Sequence, residues 1–218
     1  MAESDLEIRR RTDFLEIERL RKSTANTPKN RVLIVTTPRS ASTFFCGSIK
    51  NDLKLENLPT EFFSLKFVKE VMQKESITAD QYLDEIIKGN LNFTAKIHLH
   101  QYQYWKMVNV DIPSRFNKFI YLYRDDELAQ LKSRIIAKKT SYWNSWYSGG
   151  WNSSEARKEN GISEYTPTTA DIEYELKELN HEKTALRDFI FDGSISFDEV
   201  IDNQEYLRKI DEFRPLFC

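Results

Sequence analysis

A chain of 218 residues is long enough for one sizeable hydrophobic core and too short to need two domains. With 32 basic residues against 34 acidic ones the net charge is −2, so no global field recruits nucleic acid or anionic lipid, and any anion must be held by local geometry. Two cysteines, Cys46 and Cys218, exclude a disulfide framework, and the lack of a long apolar run argues against a signal peptide or membrane span, which together read as a cytoplasmic protein.

Hydrophobic residues at 40% and aromatic ones at 13% favour a packed globule over a disordered chain. From Asp5 to about Ser23, within an N-terminal segment 1–26, Leu6, Phe14, Leu15, Ile17 and Leu20 sit among alternating charges. That pattern predicts a charged helix with one narrow apolar face, used for packing or for a homodimer. Residues 27–30 form a turn, and RVLIV from Arg31 reads as a parallel strand covered on both faces. A helix follows from Ser42 to about Asp52. Leu91 to His100 alternates, with Phe93, Ala95, Ile97 and Leu99 on one face and Lys96, His98 and His100 on the other.

The dense run KFIYLY, Lys118 to Tyr123, reads as another strand. DDELAQLKSRIIAKK after it suits a helix with an acidic first turn, burying Leu128, Leu131 and Ile135. Residues 148–169 are polar and rich in turn formers, which predicts a long mobile loop closing over a substrate. A helix from about Asp171 to Phe191, a short strand at Ile195 to Phe197 and a last helix complete the chain. Strands and helices in alternation predict a three-layer α/β domain around a mostly parallel sheet.

Two segments carry chemistry. In VLIVTTPRSASTFF a buried strand runs into a loop with one arginine, Arg39, and the hydroxyls of Ser40, Ser42 and Thr43. Backbone N–H groups at the following helix start, a forked cation and hydroxyl donors together suit a phosphate or sulfate. No glycine and no lysine occupy the positions that a nucleotide-triphosphate loop requires, which disfavours an ATPase or kinase. Alone, PRSAST reads equally well as a capping turn. The second segment, after FIYLY, has the pattern R-x-D-x-x-x-Q-x-x-S from Arg124 to Ser133. Arg124 at a strand end and Ser133 on the next helix can clamp a second phosphate, although in isolation they read as surface residues.

PRSASTFF resembles the 5′-phosphosulfate loop of the sulfotransferases, P-[RK]-S-G-[ST]-T, and RDDELAQLKS resembles their 3′-phosphate motif. The arginine-to-serine spacing, the aspartate and the glutamine are most similar to the bacterial trehalose sulfotransferases. LPTEFF at Leu58 to Phe63 is similar to their E-P-x-E-F-F, and KTSYW up to Trp143 to their Q-T-x-x-W. The likeness covers about Val32 to Trp146 and fades in the C-terminal third. It implies a three-layer α/β/α, P-loop-like sulfotransferase fold over residues 1–218 as a single domain. It further implies transfer of a sulfuryl group from 3′-phosphoadenosine 5′-phosphosulfate (PAPS), with PAP as product and no metal, to a hydroxyl of a small acceptor.

Carried over by position, Arg39, Ser40, Ala41, Ser42 and Thr43 would hold the 5′-phosphosulfate, and Arg124 with Ser133 the 3′-phosphate. Phe44 stands where cytosolic relatives place a tryptophan on the adenine. Phe197 loosely matches a tyrosine bordering the same ring, though a core aromatic on a short strand is the better reading. The family's loop glycine is Ala41 here, and a positive φ would cost an alanine on the order of 1 kcal/mol. Ala41 is therefore expected at negative φ.

AKIHLH, with Lys96 and His98, resembles the K-T-H of cytosolic aryl sulfotransferases, in which the histidine is the base, whereas the trehalose family uses the glutamate of E-F-F, here Glu61. His98 is favoured because it titrates near neutral pH, while Glu61 would need burial to serve. Arg39 and Lys96 would supply charge beside the transferring group. Tyr142, Trp143, Trp146, Tyr147 and Trp151, with Tyr102, Tyr104 and Trp105, could stack on a phenol or a sugar, though aromatic residues at helical spacing more often build core. A phenolic or polyphenolic acceptor is favoured slightly over a sugar. A PAP- or nucleotide-binding protein without catalysis and a divergent P-loop nucleotide kinase are the alternatives.

Overall fold

Strand β1 (Asn30–Thr36) lies at the centre of a parallel sheet, with β2 (Asn92–His98) on one side and β3 (Lys118–Tyr123) on the other; β4 (Gly193–Ser196) pairs with β3. This computed structural model describes residues 15, 17–20, 30–55, 57, 59, 62–88, 92–140 and 166–217. The order β2-β1-β3-β4 is all-parallel, and helices on both faces make a three-layer α/β/α architecture. The sequence reading of fold class therefore holds. β1 is fully covered, as its unbroken apolar run requires: Val32, Leu33, Ile34 and Val35 are all buried.

On one face Val32, Ile34, Ile120, Leu122 and Ile195 meet α1 (Ser42–Asp52) through Phe45, Cys46 and Ile49. They also meet α8 (Asn203–Phe217) through Ile210, Phe213 and Phe217. Gly193 is required at the start of β4, because a Cβ there would lie 2.6 Å from the Phe213 ring. The other face carries Leu33, Val35, Phe93, Ala95 and Ile97. Against it pack α2 (Leu65–Glu75), α3 (Ala79–Ile87) and α4 (Leu99–Met107). Residues 15 and 17–20 of the expected N-terminal helix are helical, and Ile17 and Leu20 are buried in this second layer while Leu15 is exposed. Asn57 finishes the free edge of β2: its side chain donates to the Thr94 carbonyl at 2.5 Å and accepts from the Thr94 N–H at 3.0 Å.

Several boundaries differ from the sequence reading. Residues 65–87 form two helices where no element was expected; Leu65, Val68, Val71 and Met72 have the 3-and-4 spacing that builds α2. β2 ends at His98, so His100 belongs to α4 and not to the strand. α5 (Glu127–Thr140) buries Leu131 and Ile135 but leaves Leu128 half exposed. The helix expected to reach Phe191 stops at Lys183 as α6 (Thr169–Lys183), and the chain tightens into a 3₁₀ turn, Thr184–Asp188. That turn brings Phe189 onto Tyr102 at a ring separation of 4.7 Å and leaves Ile190 90% exposed. β4 stops one residue before Phe197, which opens the short helix α7 (Phe197–Ile201). No helix among the described residues is long and apolar enough to cross a membrane. Residues 148–165 of the expected loop lie outside the described residues.

Candidate anion-binding site at the sheet switch point

β1 and β3 end side by side, with Thr36 and Leu122 as Cα partners. In a sheet ordered 2-1-3-4 the connections leave β1 toward one edge and β3 toward the other, so a crevice opens between their carboxyl ends. The two segments singled out in the sequence are the two loops flanking it.

The loop after β1 runs Thr37–Pro38–Arg39–Ser40–Ala41 into α1. Arg39 has φ 69° and Ala41 φ 56°, both left-handed. The expected negative φ of Ala41 is thus wrong: the residue adopts the backbone that suits the family's glycine, and its methyl group bears the strain. Each such non-glycine residue costs on the order of 1–2 kcal/mol, and it persists only where its surroundings hold it. Left-handed positions of this kind turn successive N–H groups toward a shared concave anion site. The start of α1 agrees with that use, since Ala41 provides no side-chain cap and the first turn holds no acidic residue.

The surroundings that hold the loop come from α5. Gln130, 1% exposed, places Nε2 2.7 Å from Thr37 Oγ1, 2.8 Å from the Pro38 carbonyl and 3.0 Å from Ser40 Oγ. Ser133, one turn further along the same helix face, accepts from Arg39 Nε at 2.8 Å. Asp126 caps α5, accepting the Ala129 N–H at 2.9 Å. The sequence pattern noted Gln130 only as a spacing match and missed its role, although its i, i+3 relation to Ser133 puts both on one face.

Arg124, just past β3, stacks its guanidinium over the Phe197 ring at 4.2 Å and approaches the Arg39 carbonyl at 3.5 Å. Its Nε is buried without a hydrogen-bond partner among the described residues. Burial pushes its pKa down, while Asp126 and Asp198 push it back up. Phe197 is a half-buried helix-start residue at this crevice, not the core aromatic of a strand. Phe44 is also half-buried and packs against the core beneath α1.

His98, with Thr36 as its Cα partner, closes β2 at the same end of the sheet. Its N–H donates to Gln101 Oε1 at 3.0 Å and its ring stacks on His100 at 5.7 Å. Lys96 is buried one pair lower, beside Ile34 and on the face that α1 covers. Ser42 is buried and Thr43 half-buried in the first turn of α1. Glu61 and the aromatic residues at 142, 143, 146, 147 and 151 lie outside the described residues. Phe62 and Phe63 of the same LPTEFF stretch are core anchors: the Tyr82 hydroxyl and the Trp105 indole N–H donate to their carbonyls. Trp105 and Tyr102 are buried in the core, the commoner use of aromatic residues at helical spacing.

Behind α5, a buried ion cluster fixes the helix. Arg134 forks onto Glu182 at 2.7 and 2.9 Å and reaches Glu175 at 3.1 Å, joining α5 to α6. An open groove of about 440 Å³ between α4, α6 and the 3₁₀ turn, lined by Tyr104, Met107, His181 and Asp188, includes Tyr104 of the expected acceptor aromatics and none of the residues of the two switch-point loops. Among the described residues no group of three or more His, Cys, Asp or Glu side chains stands together to hold a metal ion. No family model, curated protein or solved structure matches the chain.

Proposed function

We propose that this chain is a sulfotransferase that moves the sulfuryl group of PAPS to a hydroxyl of a small phenolic, polyphenolic or sugar acceptor. The observation that carries the reading is the meeting of two distant anion motifs at one crevice, through Arg39 and Ser133 and through Gln130. The donor set fits a ligand with two anionic ends: two arginines, one with an orphaned buried Nε, several hydroxyls and an uncapped helix start.

In this reading Arg39, Ser40, Ser42, Thr43 and the amides at Ala41 and beyond hold the 5′-phosphosulfate. Arg124 and Ser133 hold the 3′-phosphate, and Phe44 and Phe197 flank the adenine. PAPS supplies a sulfuryl group already bonded to a phosphate leaving group. His98, at the sheet edge beside the loop, takes the acceptor's proton, with Glu61 as the alternative base. Arg39 stabilises charge that develops toward the leaving phosphate, and Lys96 adds positive charge from below.

A thermal-shift comparison of PAP, ATP and AMP tests the ligand class. At about 100 times its Kd, PAP stabilises by about 2.7 kcal/mol, which raises Tm by roughly 5–10 °C for a chain of this size. No shift with PAP defeats the reading. Release of PAP from PAPS in the presence of phenols or sugars tests catalysis; binding without turnover across a broad panel supports a PAP-binding protein instead. Unchanged turnover in His98→Ala rejects His98 as the base.

A further inference from the structure

The geometry points to Gln130 as a positioning residue that makes the Ser40 hydroxyl a donor toward the bound anion, a role that rests on the anion-site reading above. The amide orientation is fixed by chemistry. The Pro38 carbonyl can only accept, so the nitrogen and not the oxygen of Gln130 faces it at 2.8 Å. One amide hydrogen goes there. The other goes to the nearer hydroxyl, Thr37 Oγ1 at 2.7 Å, in preference to Ser40 Oγ at 3.0 Å. Thr37, having accepted, donates to Ser40 Oγ at 3.2 Å.

Ser40 thus accepts from inside the cluster and its own hydrogen is left over. The cluster holds more hydrogens than its internal bonds consume, so it requires an acceptor brought from outside. Ser40 lies between the two left-handed residues Arg39 and Ala41 and just before the uncapped start of α1. The surplus hydrogen therefore belongs to the same place as the helix-start amides. Its partner is an oxygen that carries no proton, as on a sulfate or an ionised phosphate. Gln130 acts through Thr37 and Ser40 and does not itself touch the ligand.

Isothermal titration of the full chain with PAP tests this across pH. Ser40→Ala and Gln130→Leu should each weaken binding about tenfold or more. The double variant should be no weaker than the worse single one, because the two act as one chain. Gln130→Glu reverses the relay at pH 8, where its carboxylate accepts from the hydroxyls. Its affinity should recover toward pH 5, as the protonated carboxyl donates again; Gln130→Leu should show no recovery. Additive losses in the double variant, or a flat Gln130→Glu profile, overturn the role. If Gln130→Leu does not fold, the Gln130→Glu profile decides alone. If the wild type ignores PAP but binds ATP or inorganic sulfate, the PAPS reading fails and the same variants are read with that ligand; if it binds none of them, both fail.

Discussion

Arg39 and Ser133 are 94 residues apart in the chain and 2.8 Å apart in space, with Arg39 Nε donating to Ser133 Oγ. The contact exists because β1 and β3 are neighbours in a parallel sheet, so that the loop after one faces the helix after the other. In the proposed reading this contact joins a group that holds the 5′-phosphosulfate to one that holds the 3′-phosphate.

Ser133→Ala should therefore weaken PAP binding about tenfold while changing stability by less than about 1 kcal/mol, since the serine is only half-buried. Arg39→Lys should weaken binding by more, because an ammonium cannot reproduce the fork. Calorimetric titration reads the first quantity and urea unfolding the second. A loss of stability without a loss of affinity would make the contact purely structural.

Ala41 carries left-handed strain that a glycine would not. The strain is on the order of 1–2 kcal/mol, against about 0.4–1 kcal/mol lost to the freer unfolded chain when glycine replaces alanine. Ala41→Gly should stabilise by up to about 1 kcal/mol, a rise in Tm of about 2–4 °C. Ala41→Val should destabilise, since a β-branched residue tolerates positive φ worst. A lower Tm for Ala41→Gly than for the wild type would contradict the φ of 56°.

The sheet and the two loops at its switch point are legible in the sequence because their signals are local and strong. Four consecutive buried residues in RVLIV, the KFIYLY run and the end of α1 at Asp52 all follow from the pattern of the chain. Ala41 departs from its single-residue propensity because Gln130 and the helix start impose a conformation that alanine alone would avoid. α6 ends before the spacing of Leu186 and Ile190 predicts, because tertiary packing turns the chain early to bury Phe189. Trp105 and Tyr102 stand at a helical spacing that suits a ligand platform and core packing alike, and the fold turns both to the core.

The Arg134 cluster fixes the helix that carries Gln130 and Ser133. Burial opposes its charge, but Glu182 and Glu175 overcome that and raise its pKa. Arg134→Met leaves buried Glu182 without its partner and Glu175 with Lys138 alone, and should cost about 3–5 kcal/mol. Replacing Arg134, Glu175 and Glu182 together with apolar residues of similar volume should recover much of that loss. Urea midpoints of the single and triple variants separate a net stabilising cluster from one that is merely costly to break.

Asp188 joins the 3₁₀ turn to α4. Lys106 donates to its Oδ2 at 2.7 Å and the Tyr102 hydroxyl at 3.1 Å, and chiefly the Lys106 bond holds the carboxyl below its ordinary pKa. A depressed folded-state pKa means that this stabilisation is complete above about pH 4 and is lost as pH falls through the folded value. The site is largely open to solvent, so the effect is a few tenths of a kcal/mol. Asp188→Asn should lower neutral stability by that amount and leave stability below the folded pKa nearly unchanged, which flattens the acid side of the profile. Tyr102 behaves in the opposite sense: desolvation and Asp188 raise its pKa, so its contribution holds below about pH 10 and is lost at higher pH.

Arg124 offers the sharpest separation of function from stability. Its Nε is buried with no hydrogen-bond partner among the described residues, which costs about 1–3 kcal/mol. The stack on Phe197 returns only about 0.5–1 kcal/mol at a half-buried position, and the contact to the Arg39 carbonyl is long at 3.5 Å. In the proposed reading the partner that offsets this cost arrives with the ligand. Arg124→Leu removes the orphan donor and keeps apolar contact with Phe197, so the free protein should be as stable as the wild type or more so. Its affinity for PAP should fall 100-fold or more, because a charge-assisted contact to the anion is gone. Thermal unfolding without ligand and titration with PAP measure the two. A variant that unfolds early yet binds normally would make Arg124 a structural residue, and the crevice between β1 and β3 would lose one of its two arginines as a ligand group.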